Sequence, residues 1–95
     1  MAKAIVEISR RAMKEINKAP DYIVEAVQKW VESIERIGLE ETRRLGGKGL
    51  HDEPLKGELL GLRSVRLNRD WRLYYSRQNG SPVIVSIERV DKHEY

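Results

Sequence analysis

The spacing of apolar residues changes period once along this chain, and that change confines the fold to helices followed by strands. Between Asp21 and Ile37, the residues Ile23, Val27, Trp30, Ile34 and Ile37 recur at intervals of four and three, one continuous stripe along a helix whose face is core. From Leu62 onward the pattern alternates, as LRSVRL, then WRLYYSR, then VIVSIERV, with Asn79-Gly80 reading as a hairpin turn between the last two. An antiparallel meander of three strands is predicted there. Upstream, Lys3 to Ser9 (KAIVEIS) is β-branched and partly alternating and predicts a first strand, Ser9 caps a short helix from Arg10 to Asn17, and Pro20 opens the long one. Gly38 stands where a helix C-cap glycine belongs. Glu40 to Leu45 are expected to add one turn before a flexible run, Gly46-Gly47-Lys48-Gly49. The expected fold class is α+β, with an N-terminal strand and two helices packed on one face of a small antiparallel sheet.

At 95 residues the chain is expected to form one domain, 1–95, with a small core and modest stability that a bound partner would raise. The absence of cysteine removes disulfide and thiolate chemistry and makes a cytoplasmic address the default. No apolar run approaches the roughly 20 residues of a membrane span, and the first residues alternate apolar with charged, unlike a signal peptide, so no membrane partner is expected. The net charge is +3, which permits nucleic-acid binding without establishing it. Its distribution says more. Arg63, Arg66, Arg69, Arg72 and Arg77 stand against the single acid Asp70 in that stretch.

If Val65, Leu67, Trp71, Leu73, Tyr75, Val83, Val85 and Ile87 face the helices, period-2 alternation puts Arg66, Arg72, Tyr74, Ser86 and Glu88 on the opposite face. A sheet covered on one side and offering cations, a tyrosine and hydroxyls on the other can serve as a floor for an RNA strand.

The order strand, two helices, glycine-rich stretch, three strands, together with DEPLKGELLGLRSVRLNRDWRLYY and the ending RVDKHEY, resembles the RelE/ParE toxin superfamily of type II toxin-antitoxin systems. The likeness spans most of the chain. It is most specific at Pro54-Leu55-Lys56, Gly61, Arg66 and Arg72-Leu73-Tyr74-Tyr75, which are similar to the YoeB branch of ribosome-dependent messenger-RNA nucleases. The resemblance implies cleavage of messenger RNA in the ribosomal A site by attack of a ribose 2′-hydroxyl on the adjacent phosphate, without metal or cofactor. It implies as partners the ribosome, messenger RNA and a cognate antitoxin that wraps the helices or displaces the C-terminal tail.

That chemistry needs a base, cations for the developing negative charge, and an acid for the leaving oxygen. By position, the resemblance makes Glu53 the base and Arg66 and Arg72 the phosphate clamp, a role suited to a guanidinium whose fork matches phosphate and whose charge does not titrate away. It makes His93 the acid, since histidine titrates near neutrality. Tyr95 would stack on a base or bond the phosphate, although Glu94 intervenes between the two, so either Glu94 or Tyr95 fills the terminal place. His51, two residues before Glu53, is a second acid-base candidate. Lys48, Lys56 and Arg63 are expected to contact RNA backbone. Two other readings stand beside this one: a ParE-type inhibitor of DNA gyrase with the same fold, and a noncatalytic RNA-binding domain.

Overall fold

The computed structural model describes residues 4–92, the side chains of 47–49 excepted. Its elements run in the order β1 (Ala4–Ile8), α1 (Arg10–Lys18), α2 (Asp21–Ile37), α3 (Leu39–Leu50), β2 (Glu53–Pro54), a 3-10 turn (Gly57–Leu59), β3 (Arg63–Arg66), β4 (Trp71–Gln78) and β5 (Val83–Lys92). The α+β class stands. The strands form one sheet in the order β1-β5-β4-β3-β2. The pairs β2–β3, β3–β4 and β4–β5 are antiparallel, but β1 lies parallel to β5, Ala4 opposite Val83 and Ile8 opposite Ile87. The alternation of a lone N-terminal strand carries no direction, so this pairing was not readable from sequence.

Local chemistry places the helices. Ser9 caps α1, its Oγ accepting the Ala12 N–H at 3.0 Å and donating to the Glu88 carbonyl at 3.0 Å, which ties the helix start to β5. Asp21 opens α2 in the first turn, where a negative charge meets the helix's positive end. Gly38, at φ 89°, ends α2 and begins α3 in one residue, a conformation that favours glycine.

Two expectations are corrected. The segment expected as a single turn and a flexible glycine run is a third helix, α3, that carries through to Leu50 and stops at His51 in the left-handed conformation, φ 49°. Gly46 explains part of this: a Cβ there would lie 2.2 Å from Leu50 Cδ1, so the glycine makes room for the Leu50 side chain rather than breaking the helix. The β4–β5 connection is not a two-residue Asn79-Gly80 turn. Pairing stops at Gln78 opposite Ile84, leaving 79–82 outside both strands, and Pro82 has no N–H to offer the ladder.

The core sits between the sheet and α2, where Ile23, Val27, Trp30 and Ile34 meet Val65, Leu73, Tyr75, Val85, Ile87 and Val90. Trp30 and Tyr75 touch with ring centroids 5.1 Å apart. Val90 joins the core because the register shifts between Tyr74 (opposite Arg89) and Tyr75 (opposite Ile87), so Glu88 is the extra residue of a bulge and the face count moves by one after it. α1 packs along β5, and α2 lies over β1. The opposite face of the sheet is left to polar residues.

Candidate RNA-binding face and active site

That uncovered face is organised by register. Across β2, β3, β4 and β5, one row reads Glu53, Ser64, Tyr74, Arg89; the next row on the same face reads Arg66, Arg72, Asp91. Strands stand about 4.8 Å apart and same-face neighbours about 6.8 Å apart along a strand, so the Glu53 and Arg66 backbones are diagonal neighbours, and Arg72 lies roughly 12 Å from Glu53. Extended glutamate and arginine side chains together span most of that gap. Glu53, Arg66 and Arg72, assigned separately from sequence, therefore share one face.

Arg66 stands directly opposite Arg72, a like-charged cross-strand pair, with the Asp91 carboxylate opposite Arg72 on its other side. Arg66 is exposed, whereas Arg72 is half-buried, and its Nη1 is buried without a hydrogen-bond partner among the described residues. A buried guanidinium nitrogen with nothing to donate to retains its capacity for an incoming oxyanion. Beside it the Tyr74 hydroxyl lies near the Asp91 carboxylate. Burial and the Asp91 carboxylate raise the Tyr74 pKa above the ordinary tyrosine value, against the opposing pull of Arg72 and Arg89. Tyr74 therefore meets any ligand as a neutral donor and acceptor.

Glu53 is half-exposed, and its Oε2 lies 3.4 Å from His51 Nε2. The left-handed turn at His51 brings the two acid-base candidates into contact, leaving both available to one substrate. What holds this corner in place is Asp52, between them in sequence and only 6% exposed in its side chain. Its Oδ1 accepts from Arg63 Nε at 2.5 Å and lies 3.5 Å from Arg43 Nε, while its Oδ2 accepts from the Tyr75 hydroxyl at 2.6 Å. Burial first, and then the bond to Asp52 and that carboxylate's charge, push the Tyr75 pKa far above its ordinary value. Successive side chains of extended backbone point to opposite faces. Anchoring Asp52 among the core-facing Arg63 and Tyr75 thus sends Glu53 to the uncovered face.

Of the other sequence-assigned residues, Arg63 is engaged in this Asp52 cluster and is 28% exposed in its side chain. Lys56 is exposed in the loop before the 3-10 turn. Lys48 lies on α3, its side chain outside the described set, and His93 and Tyr95 lie outside the described residues altogether. Sequence reasoning placed Tyr74 on the right face but gave it no role, and it passed over Asp52, Arg89 and Asp91. Asp52 carried no signal of its own, since nothing in a run of charged loop residues marks which one is buried.

Helices covering one side of a sheet, with arginines, hydroxyls and a carboxylate paired by register on the other, define a small α+β protein with one bare sheet face. The chain belongs to the ParE toxin family: the profile described as ParE toxin of type II toxin-antitoxin system, parDE, matches residues 6–94. No curated protein matches it in sequence. Among solved structures, it is similar to a chain of the toxin-antitoxin complex RelBE2 of Mycobacterium tuberculosis, at 27% identity and TM-score 0.66, over 94% of this chain and 96% of that one. The YoeB-YefM complex of Staphylococcus aureus gives 26% identity and TM-score 0.65, over 95% of each chain. The YoeB/ParE toxin of Agrobacterium tumefaciens, at 16% identity, TM-score 0.70 and coverage of 95% and 99%, shares the fold. The chain is a toxin of the type II toxin-antitoxin class. No helix among the described residues is long and apolar enough to cross a membrane.

Proposed function

We propose that this toxin is a ribosome-dependent endoribonuclease that cleaves messenger RNA in the A site and is held inactive by a cognate antitoxin. The observation that carries the reading is the shared face of Glu53, Arg66 and Arg72, with a buried and unpartnered Arg72 nitrogen. A phosphate bridging Arg66 and Arg72 relieves their mutual repulsion and gains most where negative charge grows, in the transition state.

Glu53 takes the 2′-hydroxyl proton, the arginines hold the phosphate oxygens, and His93 protonates the leaving 5′ oxygen. Bonds form from 2′-O to phosphorus and break from phosphorus to 5′-O, so the products are a 2′,3′-cyclic phosphate and a 5′-hydroxyl, with protons conserved between Glu53 and His93. Glu53 is an exposed carboxylate on a bare face that does not enclose a substrate, so the in-line geometry of the attack must come from elsewhere. The ribosome supplies it by splaying the message. Naked RNA is accordingly a poor substrate.

The test is cleavage of ribosome-bound message with ends mapped, comparing the wild type with Arg72→Ala, Glu53→Gln and His93→Ala. Arg72→Ala is expected to lower kcat by about 10²- to 10³-fold. Glu53→Gln and His93→Ala are expected to lower it by about 10²- to 10⁴-fold. The family match to ParE toxins keeps gyrase inhibition as the second reading. It predicts intact message and toxicity indifferent to all three substitutions.

A further inference from the structure

Glu53, Glu88 and Asp91 all emerge on the uncovered face, and two of them meet a basic side chain. Glu53 lies against His51, and Asp91 stands opposite Arg72. Glu88 does not. It is the extra residue of the bulge, with no register partner on β4, and its Oε1 accepts from the Ser76 hydroxyl at 3.4 Å. Ser76 alternates with the buried Tyr75, so that contact places the half-buried Glu88 side chain on the uncovered face. Its other oxygen accepts no hydrogen bond among the described residues, and no cation of that set lies within ion-pair distance of it. The Ser9 Oγ donates to the Glu88 carbonyl at 3.0 Å, which holds the bulge from the β1 side. Ser86 and Glu7 continue the row beyond Ser76, so hydroxyls and carboxylates replace arginines in this part of the face.

A half-buried carboxylate without a cation repels the RNA backbone and is satisfied instead by hydrogen-bond donors. On single-stranded RNA those donors are base edges. Guanine alone presents two adjacent donors, N1–H and the 2-amino group, on its Watson–Crick edge, a match for the two oxygens of one carboxylate. We infer that Glu88 reads a guanine in the nucleotide immediately 3′ of the cut, with the Tyr74 ring as the surface on which that base rests. The inference rests on the nuclease reading above and adds its base preference. Strand order decides which nucleotide is read. Glu53, which takes the 2′-hydroxyl proton, is on β2, so the nucleoside 5′ of the cut lies toward that edge. Arg72 and Tyr74 are on β4 and Glu88 is on β5, so the nucleoside released with the 5′ oxygen lies over those two strands. Tyr74 stands midway between Arg72 and Ser76 on the same face, and Ser76 is about 13 Å along β4 from Arg72. A phosphate held by Arg72 thus brings the adjoining base over Tyr74 and its edge to Glu88. An aromatic ring stacks every base alike, which leaves base identity to the carboxylate.

The experiment measures cleavage by the full chain of ribosome-bound messages that differ only in the nucleotide 3′ of the mapped cut, which is guanosine, adenosine or inosine. The wild type is compared with Glu88→Gln. The wild type is expected to favour guanosine over adenosine roughly 10- to 100-fold in kcat/KM, the discrimination that a bidentate base contact supplies. Inosine keeps N1–H but lacks the 2-amino group, and its rate is expected to fall between the two. Glutamine offers one acceptor and one donor group, so Glu88→Gln is expected to bring the guanosine-to-adenosine ratio down to about 3 or less. Equal rates on guanosine and adenosine messages by a wild type that cuts, or a ratio that survives in Glu88→Gln, overturn this inference and leave the nuclease reading standing. If Glu88→Gln does not fold, the inosine message decides with the wild type alone, and a rate equal to that on guanosine overturns the contact. Wild-type protein that cuts none of the messages overturns both readings.

Discussion

Removing the Asp52 carboxylate should destabilise this protein more than any other single change in a loop. Its side chain is 6% exposed and engages Arg63 at 2.5 Å, Tyr75 at 2.6 Å and Arg43 at 3.5 Å. Hydrogen bonds to a charged group contribute about 1.5 to 3 kcal/mol each, and deleting one partner of a buried ion pair costs about 3 to 5 kcal/mol. Arg63 and Arg43 are 28% and 31% exposed in their side chains and recover part of their hydration, which argues for the lower end. We expect Asp52→Ala to lose about 3 kcal/mol, and Asp52→Asn, which can still accept from Tyr75, roughly half that. In a chain of this size, 3 kcal/mol corresponds to a fall of roughly 12 to 24 °C in Tm. Urea unfolding followed by tryptophan fluorescence reads the change directly, because Trp30 packs on Tyr75. A double-mutant cycle with Tyr75→Phe should return a coupling of about 1 kcal/mol or more. A loss below about 1 kcal/mol for Asp52→Ala, or zero coupling, would mean that the buried cluster does not anchor the loop.

Ile34→Ala, at a fully buried position facing the sheet, should lower stability by about 2 to 5 kcal/mol with folding otherwise intact, as denaturant titration will show. Ser9→Ala removes both the α1 cap and the bond to the Glu88 carbonyl and should cost about 1 to 2 kcal/mol by thermal unfolding. Gly46→Ala should destabilise despite alanine's better helix propensity, since its Cβ collides with Leu50; a gain in Tm would contradict the packing described. The pKa of Tyr75 is raised in the folded state, so its contribution to stability is complete below the ordinary value of 10.0 and is lost as pH climbs above it. Each proton released on unfolding steepens the alkaline decline by about 1.4 kcal/mol per pH unit, and Tyr75→Phe should flatten it in unfolding curves between pH 9 and 11.

The long helix and the last two strands were legible because their apolar residues repeat at unmistakable periods, from Ile23 to Ile34 and from Leu73 to Ile87. Val90 was not, because a bulge at Glu88 moves the count by one, and nothing in IERV distinguishes a bulged strand from a regular one. α3 was missed because glycine weakens helices on average, while Gly46 is there to admit Leu50. In the site, alternation alone put Arg66, Arg72 and Tyr74 together. The place of Glu53 depended on pairing with Ser64 and on the buried Asp52, both long-range facts that no local pattern encodes.

The shortness of β2 has a consequence for how this surface can change over generations. With only Glu53 and Pro54 on the ladder, the side of the sheet on which the carboxylate emerges is decided by counting residues from the end of α3. A single codon lost or gained between His51 and Pro54 would turn that side chain toward the helices and deliver its neighbour to the solvent, with most of the fold untouched. Lineages can therefore gain or silence an acidic group on this face by a change of length rather than of residue type. Members of the family that differ by one residue here should differ in which face of the sheet bears the acid.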